Sequence, residues 1–485
     1  MGAAIYANSS PNDCLYVLEH SDAVGVLVED DAQRAKVAGA DLAHVISFAD
    51  LDDLRVRGRA FAAEHPEALA EAESAVGEED LFTFIYTSGT TGPPKACMIR
   101  HRNYFEMAAC TDRVPEFALS DDVMLIYLPL AHNFGRLMHL LGAHAGYTIA
   151  FCPDPLRVGD VMPAVRPTLL PTVPRLFEKV HAALLAQFEQ ARGRRKRLLD
   201  WALEVGRQAS VLRQQGRELP AGLALRHRVA DRLVYRKVKN RLGGRFRIAI
   251  SGGAPLAKEI CELFHALDIM IVEGWGLTEC TTAASVNRPN RFRFGTVGPA
   301  IPGFEVRADG DGELLIRSPT VFAGYYKDEE ATREVLGEDG WLRSGDLGEI
   351  DEDGFITITD RKKDILITAG GKNVAPQNLE NALKTAPLVS QALVVGDRRP
   401  YVAALITIDP AVAGGLSPGQ VQERVQKIVD RANTEFSRFE QIKRFAILPR
   451  EFSAEDDEVT PTLKLKRRTC AEHFAAEIES LYAPA

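Results

Sequence analysis

The sequence predicts an α/β protein with mainly parallel sheets in a large first part, followed by a small α+β unit. Three observations point to it. Apolar, β-prone runs alternate with helix-like segments from 81 to about 280, several of those runs end in Gly-rich turns, and the pattern changes near 300 and again near 363. Such alternation is the mark of βαβ units, whose parallel strands need helical crossovers. Ligands in such sheets bind at the carboxyl ends of strands, so the Gly-rich turns are where chemistry is expected.

In chain order, residues 1–80 mix short apolar segments with acidic, Ala-rich helix-like stretches, and the first residues read as the inside of a βα unit. Strands are expected at 81–86, 123–128 and 147–152, then a long helical block at about 175–240, with Leu198, Leu199, Ala202 and Val205 at helical spacing. Strands near 246–250 and 269–273 each run into a Gly-rich turn. From about 300 to 362 short strands and turns dominate, as in Gly312–Arg317 and Gly354–Ile358. Beyond that come a helix near 375–385, strands near 391–396 and 401–408, and a helix near 418–436. The expected division is a first domain at 1–362, its last part a small β-rich subdomain, and a second at 363–485. No internal repeat or low-complexity segment is apparent.

Hydrophobic residues at 46% and charged residues at 26% are ordinary globular values. No apolar run has membrane-spanning length, and Met1–Tyr6 lacks the basic start and apolar core of a signal peptide. Gly2 does not open a myristoylation signal, because Tyr6 stands where Ser or Thr is needed. The seven cysteines are scattered with no C-x2-C pair, which predicts free thiols and a cytoplasmic location. The net charge of −9 is uneven: Arg192–Arg247 holds 17 Lys/Arg against 4 Asp/Glu, a balance of +13 that leaves −22 elsewhere. This basic block reads as contact with an anionic membrane surface, as attraction for an anionic substrate, or simply as a solvated helical face. Nucleic acid is disfavoured, since no aromatic-interleaved or base-reading module accompanies the charge.

The most informative string is Thr87-Ser88-Gly89-Thr90-Thr91-Gly92-Pro93-Pro94-Lys95. Glycines let backbone N–H groups approach an anion, hydroxyls add donors, and the lysine adds a compact charge. It is not a Walker loop, because two prolines separate Gly92 from Lys95 and Ala96 sits where Ser or Thr would hold magnesium. It should clamp a polyphosphate without a helix starting on the phosphate. Four further strings carry candidate chemistry. Ser251-Gly252-Gly253-Ala254 offers side-chain-free backbone to a flat ring or phosphate, or is a tight βα turn. In Glu273-Gly274-Trp275-Gly276-Leu277-Thr278-Glu279, placed after a strand, a ring could lie over the glycines, Thr278 could bond a phosphate and Glu279 could hold Mg2+. Ser344-Gly345-Asp346 could accept from two ribose hydroxyls, and Asp360-Arg361-Lys362-Lys363-Asp364 reads as a charged interdomain turn. Thr368–Asn373 has a mobile loop's composition, and Thr460–Arg467 could carry a lysine to a distant site.

In that order and spacing these strings resemble the adenylate-forming superfamily of acyl-CoA synthetases, firefly luciferase and peptide-synthetase adenylation domains. Leu128-Pro129-Leu130-Ala131-His132, Pro174-Arg175-Leu176-Phe177-Glu178-Lys179, the Arg361–Pro376 run and Thr460–Arg467 are most similar to bacterial long-chain fatty-acyl-CoA synthetases. The insertion typical of fatty-acyl-AMP ligases is not seen. Departures are Trp275 where Tyr is commoner, Ser344 for Thr, Ala96 for Gly, and Asn133-Phe134-Gly135 after His132. The resemblance starts inside the family's first subdomain, so its leading strands are expected to be missing.

The resemblance implies ATP-dependent long-chain fatty acid–CoA ligation through an acyl-adenylate, with ATP, Mg2+ and CoA. It implies Thr87, Ser88, Gly89, Thr90, Thr91, Gly92 and Lys95 on the β/γ-phosphates, and Gly252, Gly253, Ala254, Glu273, Gly274, Trp275 and Gly276 on adenine. Thr278 and Glu279 fall at the phosphates and Mg2+, Asp346 and Arg361 at the ribose, and Lys464 at the reacting carboxylate and α-phosphate. Lys363 is the pivot of a mobile second domain, Gly370, Gly371 and Lys372 face CoA, and His132 is a gate or wall of the acyl pocket, if not a packed core histidine. Loading of a carrier protein, or an idle nucleotide-binding paralogue, are the alternatives. Peripheral membrane contact through the block 192–247 and a homodimer are left open.

Overall fold

The computed structural model describes residues 1–87, 93–453, 456–460 and 465–483, apart from the side chain of Glu189. Its centre is a six-stranded sheet in the order Ser285–Val286, Ile271–Trp275, Ile248–Ser251, Leu169–Thr172, Val123–Ile126, Thr148–Phe151. All neighbours run parallel except the edge pair formed by Ser285–Val286. Leu169–Thr172 and Ile248–Ser251 are buried at every position, as strands covered on both faces must be. One covering layer packs Lys258–Ala266 on Gly193–Gln214. These helices lie so close that a Cβ on Gly206 would collide with the Ala266 carbonyl, so glycine is required there.

A second sheet orders Gly2–Ala3, Leu81–Thr87 and Lys95–Arg100, parallel and then antiparallel. The two described ends of the Thr/Gly-rich string, Thr87 and Lys95, thus belong to paired antiparallel strands, and the residues that follow Lys95 are strand and not helix. A four-stranded antiparallel sheet follows, in chain order Glu305–Ala308, Glu313–Arg317, Leu342–Ile350 and Ile356–Arg361. One apolar cluster runs from Ile85 to Ile356, whereas two others lie wholly between Val374 and Leu481. The latter pack on the sheet Val389–Val395, Val402–Ile408, Ile442–Ile447 and the helices Pro376–Lys384 and Pro418–Asn433.

Two expectations need correction. Gly274 and Trp275 continue the strand beyond Glu273 in place of the expected turn, because they gain the antiparallel partners Val286 and Ser285. Asp360-Arg361, expected within an interdomain turn, is strand and pairs with the strand that holds Ser344-Gly345-Asp346: Asp346 pairs with Arg361 and Leu347 with Asp360. Long-range pairing overrides the local turn character of these polar strings. The helical block expected at about 175–240 is present as Pro174–Gln190, Gly193–Gln214, Ala221–Ala230, a π turn at Asp231–Tyr235 and Arg236–Arg241. All seven cysteines are buried and unpaired.

At the amino-terminal edge of the central sheet the buried Asp122 accepts from Thr168 Oγ1 at 2.6 Å and Arg247 Nε at 3.0 Å. This staples the entries to three strands. Nearby, the buried His265 shares a 2.7 Å hydrogen bond with Ser210 Oγ. Burial holds its pKa down at about 4, against an ordinary 6.5. The unfolded chain thus takes up a proton below pH 6.5 that the folded chain refuses until about pH 4. The stability from the neutral ring is complete above pH 6.5 and is lost through that window, by roughly 3 kcal/mol at most. Thermal melts from neutral pH to about pH 4.5 should show a decline that His265→Gln flattens; an equally steep decline in the variant would exclude this histidine.

Candidate active site

The carboxyl ends of the central strands carry the Gly-rich strings. Gly253 has φ +85°, a left-handed conformation that glycine adopts without strain. A Cβ on Gly276 would collide with the Thr282 carbonyl, so glycine there is a packing requirement. A Cβ on Gly252 would meet only the Phe134 ring at 3.5 Å and Gly274 O at 3.7 Å, ordinary contacts that leave glycine unforced by the protein itself.

Asp346 ties this region together. Its side chain is buried at 4% exposure, accepting from Trp275 Nε1 at 2.7 Å on Oδ2 and pairing with Arg361 Nε at 3.1 Å on Oδ1. Gly345, at φ +71°, places Asp346 for this, and Ser344 Oγ accepts from Asp346 N at 3.0 Å. Glu273 behaves differently from its neighbours. Its side chain is buried, accepts from Leu256 N at 3.1 Å and is pushed up to a pKa of about 7 by burial. It acts as a strut between the strand Ile271–Trp275 and the loop after Ile248–Ser251, and is not offered to a ligand.

Glu279 sits on a single turn, Thr278–Cys280, followed by Thr281 and Thr282 at φ +57° and +97°. Positive φ is a strained state for β-branched residues. Thr281 Oγ1 donates to Thr320 O at 2.7 Å, which helps hold the bend, while Thr282 Oγ1 is buried without a partner among the described residues. The bend turns Glu279 toward Tyr325, whose hydroxyl donates to Oε1 at 2.6 Å. Tyr325 reaches this place because Ala323–Tyr326 adds to the edge of Lys95–Arg100: Met98 N donates to Gly324 O and Tyr326 N to Ala96 O. The same pairing sets Lys95 Nζ 5.2 Å from the Tyr325 ring centroid and 3.4 Å from Asp328 Oδ2. Tyr325 and Asp328 are missing from the sequence reading; no local motif marks them.

Thr87 Oγ1 donates to Lys95 O at 3.4 Å, closing the base of the hairpin. Ser88, Gly89, Thr90, Thr91, Gly92 and Lys464 lie outside the described residues. The His132 ring caps the helix Asn133–Ala145, its Nδ1 accepting from Phe134 N at 3.2 Å, and is only half-buried, unlike a packed core histidine. Lys363 is exposed just past the strand Ile356–Arg361. Gly371 has φ +72°, and Lys372 Nζ stands 5.8 Å from the Phe439 ring, on the far side of Lys363 in the chain from Asp346. The structure thus gathers Trp275, Asp346 and Arg361 in one network and Lys95 and Glu279 around Tyr325 in another. Lys372 stays with the last part of the chain.

Among the described residues no cluster of three or more His, Cys, Asp or Glu could hold a metal. A single carboxylate suits Mg2+ shared with substrate phosphates, and Glu279 Oε2 takes no bond from the described residues.

Residues 2–326 match the AMP-binding enzyme family and residues 363–485 the AMP-binding enzyme C-terminal domain. The chain belongs to this family of adenylate-forming enzymes. It is 38% identical to long-chain-fatty-acid–CoA ligase FadD15 of Mycobacterium bovis, over 99% of this chain and 83% of the relative. It is 31% identical to long-chain-fatty-acid–CoA ligase 6 of Mus musculus, over 99% of this chain and 74% of the relative. The adenylation domain of a carboxylate reductase from Mycobacterium chelonae superposes with a TM-score of 0.75 at 22% identity, over 99% of this chain and 76% of that one.

Trp275→Phe keeps the ring and removes the donor to Asp346. A hydrogen bond to a charged group is worth about 1.5–3 kcal/mol, so the free energy of unfolding by chemical denaturation should fall by about that amount. Unchanged stability would show that the indole does not hold Asp346.

Proposed function

We infer that the protein is an AMP-forming long-chain fatty acid–CoA ligase, acting through an acyl-adenylate and then a thioester. The observation that carries this reading is identity across almost the whole chain to enzymes of that name. The networks around Asp346 and Tyr325 support it.

In the first half-reaction a fatty carboxylate attacks the α-phosphate of ATP and pyrophosphate leaves. An anion must approach a polyanion, so positive charge placed at the phosphates is the main demand. Lys95 would exchange Asp328 for the β/γ-phosphates, with Thr87 and the hydroxyls of Ser88–Thr91 beside it. Lys464 would bridge the carboxylate and α-phosphate. Asp346, with one donor already on each oxygen, retains lone pairs for the ribose hydroxyls, and Arg361 flanks it. Gly252–Ala254 and Gly274–Gly276 would line the adenine, with Glu273 bracing them from behind. Glu279, together with the phosphates, would hold a magnesium ion, which would supply charge neutralisation. Tyr325 fixes the Glu279 carboxylate, and Thr278 donates to phosphate.

In the second half-reaction residues 363–485 would turn about Lys363, withdrawing Lys464 and bringing Gly370–Lys372 toward the CoA arm. His132, at the head of its helix, would wall the acyl pocket. A cytoplasmic location is part of the reading, supported by seven unpaired cysteines.

ATP–pyrophosphate exchange with a panel of fatty acids tests it: exchange should be strongest with long-chain acids and absent without acid. No exchange with any acid, from soluble protein, would refute the ligase. Lys464→Ala should lower adenylation at least about 100-fold. Thioester formed only on a holo carrier protein, and never on CoA, would move the reading to carrier loading.

A further inference from the structure

We propose that the face of Ala221–Arg241 docks on an anionic bilayer surface. The inference goes beyond ligation and rests on surface chemistry alone. The helix Ala221–Ala230 continues through the π turn into Arg236–Arg241. Leu223, His227, Ala230, Val234 and Tyr235 form the buried side. The outer side bears Leu225, Val229 and Leu233, exposed at 63%, 43% and 41%, one per turn. Single exposed apolar side chains are ordinary, but three aligned on successive turns form a strip available for contact.

Cations flank the strip. The segment 221–241 holds seven Lys/Arg and one acidic residue, Asp231, for a balance of +6. Arg226, Arg228, Arg232 and Lys237 are exposed beside the stripe and take no acidic partner among the described residues. An apolar stripe flanked by unpaired cations suits the boundary between anionic headgroups and acyl chains. A second copy fits poorly, since +6 would meet +6 across a two-fold axis. Nucleic acid fits poorly too, since it would leave the leucines in water. No described helix is long and apolar enough to cross a membrane, so the contact would be peripheral.

A contiguous cavity strengthens the assignment. Arg236 extends from this face into a space of about 780 Å³ lined also by Arg213, Lys239, Arg245 and Arg247, against Asp231 and Asp268. Arg245 has no acidic partner among the described residues. The cavity lies where Arg245–Arg247 enter the strand Ile248–Ser251, the end of the sheet opposite Gly252–Ala254. Headgroup phosphates could enter here without covering the nucleotide loops.

Flotation with phosphatidylcholine vesicles, with and without about one-third phosphatidylglycerol, tests the proposal. Each Lys or Arg near an anionic surface strengthens binding about fivefold, so Arg226→Glu with Arg232→Glu should weaken phosphatidylglycerol binding more than about 25-fold. Leu225→Ser with Leu233→Ser should weaken it roughly 10-fold even at low salt, with pyrophosphate exchange in the absence of vesicles unchanged. Equal binding to both vesicle types, indifference to the leucine changes, or a protein dimer dissolved by those changes would each overturn the bilayer assignment. Failure of vesicle binding with intact exchange would leave the ligase reading standing; failure of exchange with intact vesicle binding would do the reverse.

Discussion

One buried carboxylate ties the central sheet to the four-stranded sheet. Asp346 receives the indole N–H of Trp275, from the central sheet, and the guanidinium of Arg361, from the last strand of the four-stranded sheet. An ionised carboxylate in such a place is tolerable only with donors on both oxygens. Here each donor comes from a different part of the chain, so satisfying the charge also fixes how two sheets meet. The position of Lys363 follows from the same bond, because Arg361 is its near neighbour. Gly345 O accepts from Lys362 N at 2.9 Å, repeating the tie in the backbone.

The second organising device is an edge. Lys95–Arg100, the second strand of its hairpin, would expose unpaired N–H and C=O groups along its outer edge, and Ala323–Tyr326 covers them. That pairing delivers Tyr325 to Glu279 and Asp328 to Lys95. Burial first, and the Glu279 carboxylate next, raise the pKa of the Tyr325 hydroxyl, so it stays a donor. Phe322 N donates to Glu279 O at 2.8 Å, which anchors the same crossing from the backbone side. A lysine resting beside a carboxylate and an aromatic face is held ready, and a phosphate carrying more charge than Asp328 can displace that carboxylate.

Much of this was legible in the residues. The parallel core could be read because Val123–Ile126, Ile248–Ser251 and Ile271–Val272 are short apolar runs, and the site strings because glycine and hydroxyl spacing is local information; Leu169–Thr172, where no strand was expected, carries Pro171 and becomes a central strand only through its neighbours on both sides. Boundaries slipped where polar strings found distant partners: Asp360-Arg361 resembled a linker until paired with Asp346-Leu347. Tyr325 and Asp328 were not legible, since Gly324-Tyr325-Tyr326 acquires meaning only by adding to an edge about 225 residues earlier in the chain. The inward turn of Glu273 was hidden for a similar reason: strand alternation puts a side chain on one face or the other, and register decides which.

The proposed rotation of residues 363–485 raises an energetic question that the seam answers. Arg175 donates to Ser390 O at 2.6 Å and Ser390 Oγ at 2.7 Å and pairs with Glu451, while Lys384 meets Glu178 at 3.1 Å. Asp360, pushed up to a pKa of about 6 by burial, accepts from Gln377 N at 3.2 Å. These contacts are polar, whereas the apolar clusters on the two sides remain distinct. Breaking a hydrogen bond that water can replace costs about 0.5–1.5 kcal/mol, and a partly exposed ion pair less. Separating a shared apolar core would cost about 25 cal/mol for every Å² exposed. A polar seam therefore permits two arrangements of similar free energy, the condition under which a substrate can choose between them.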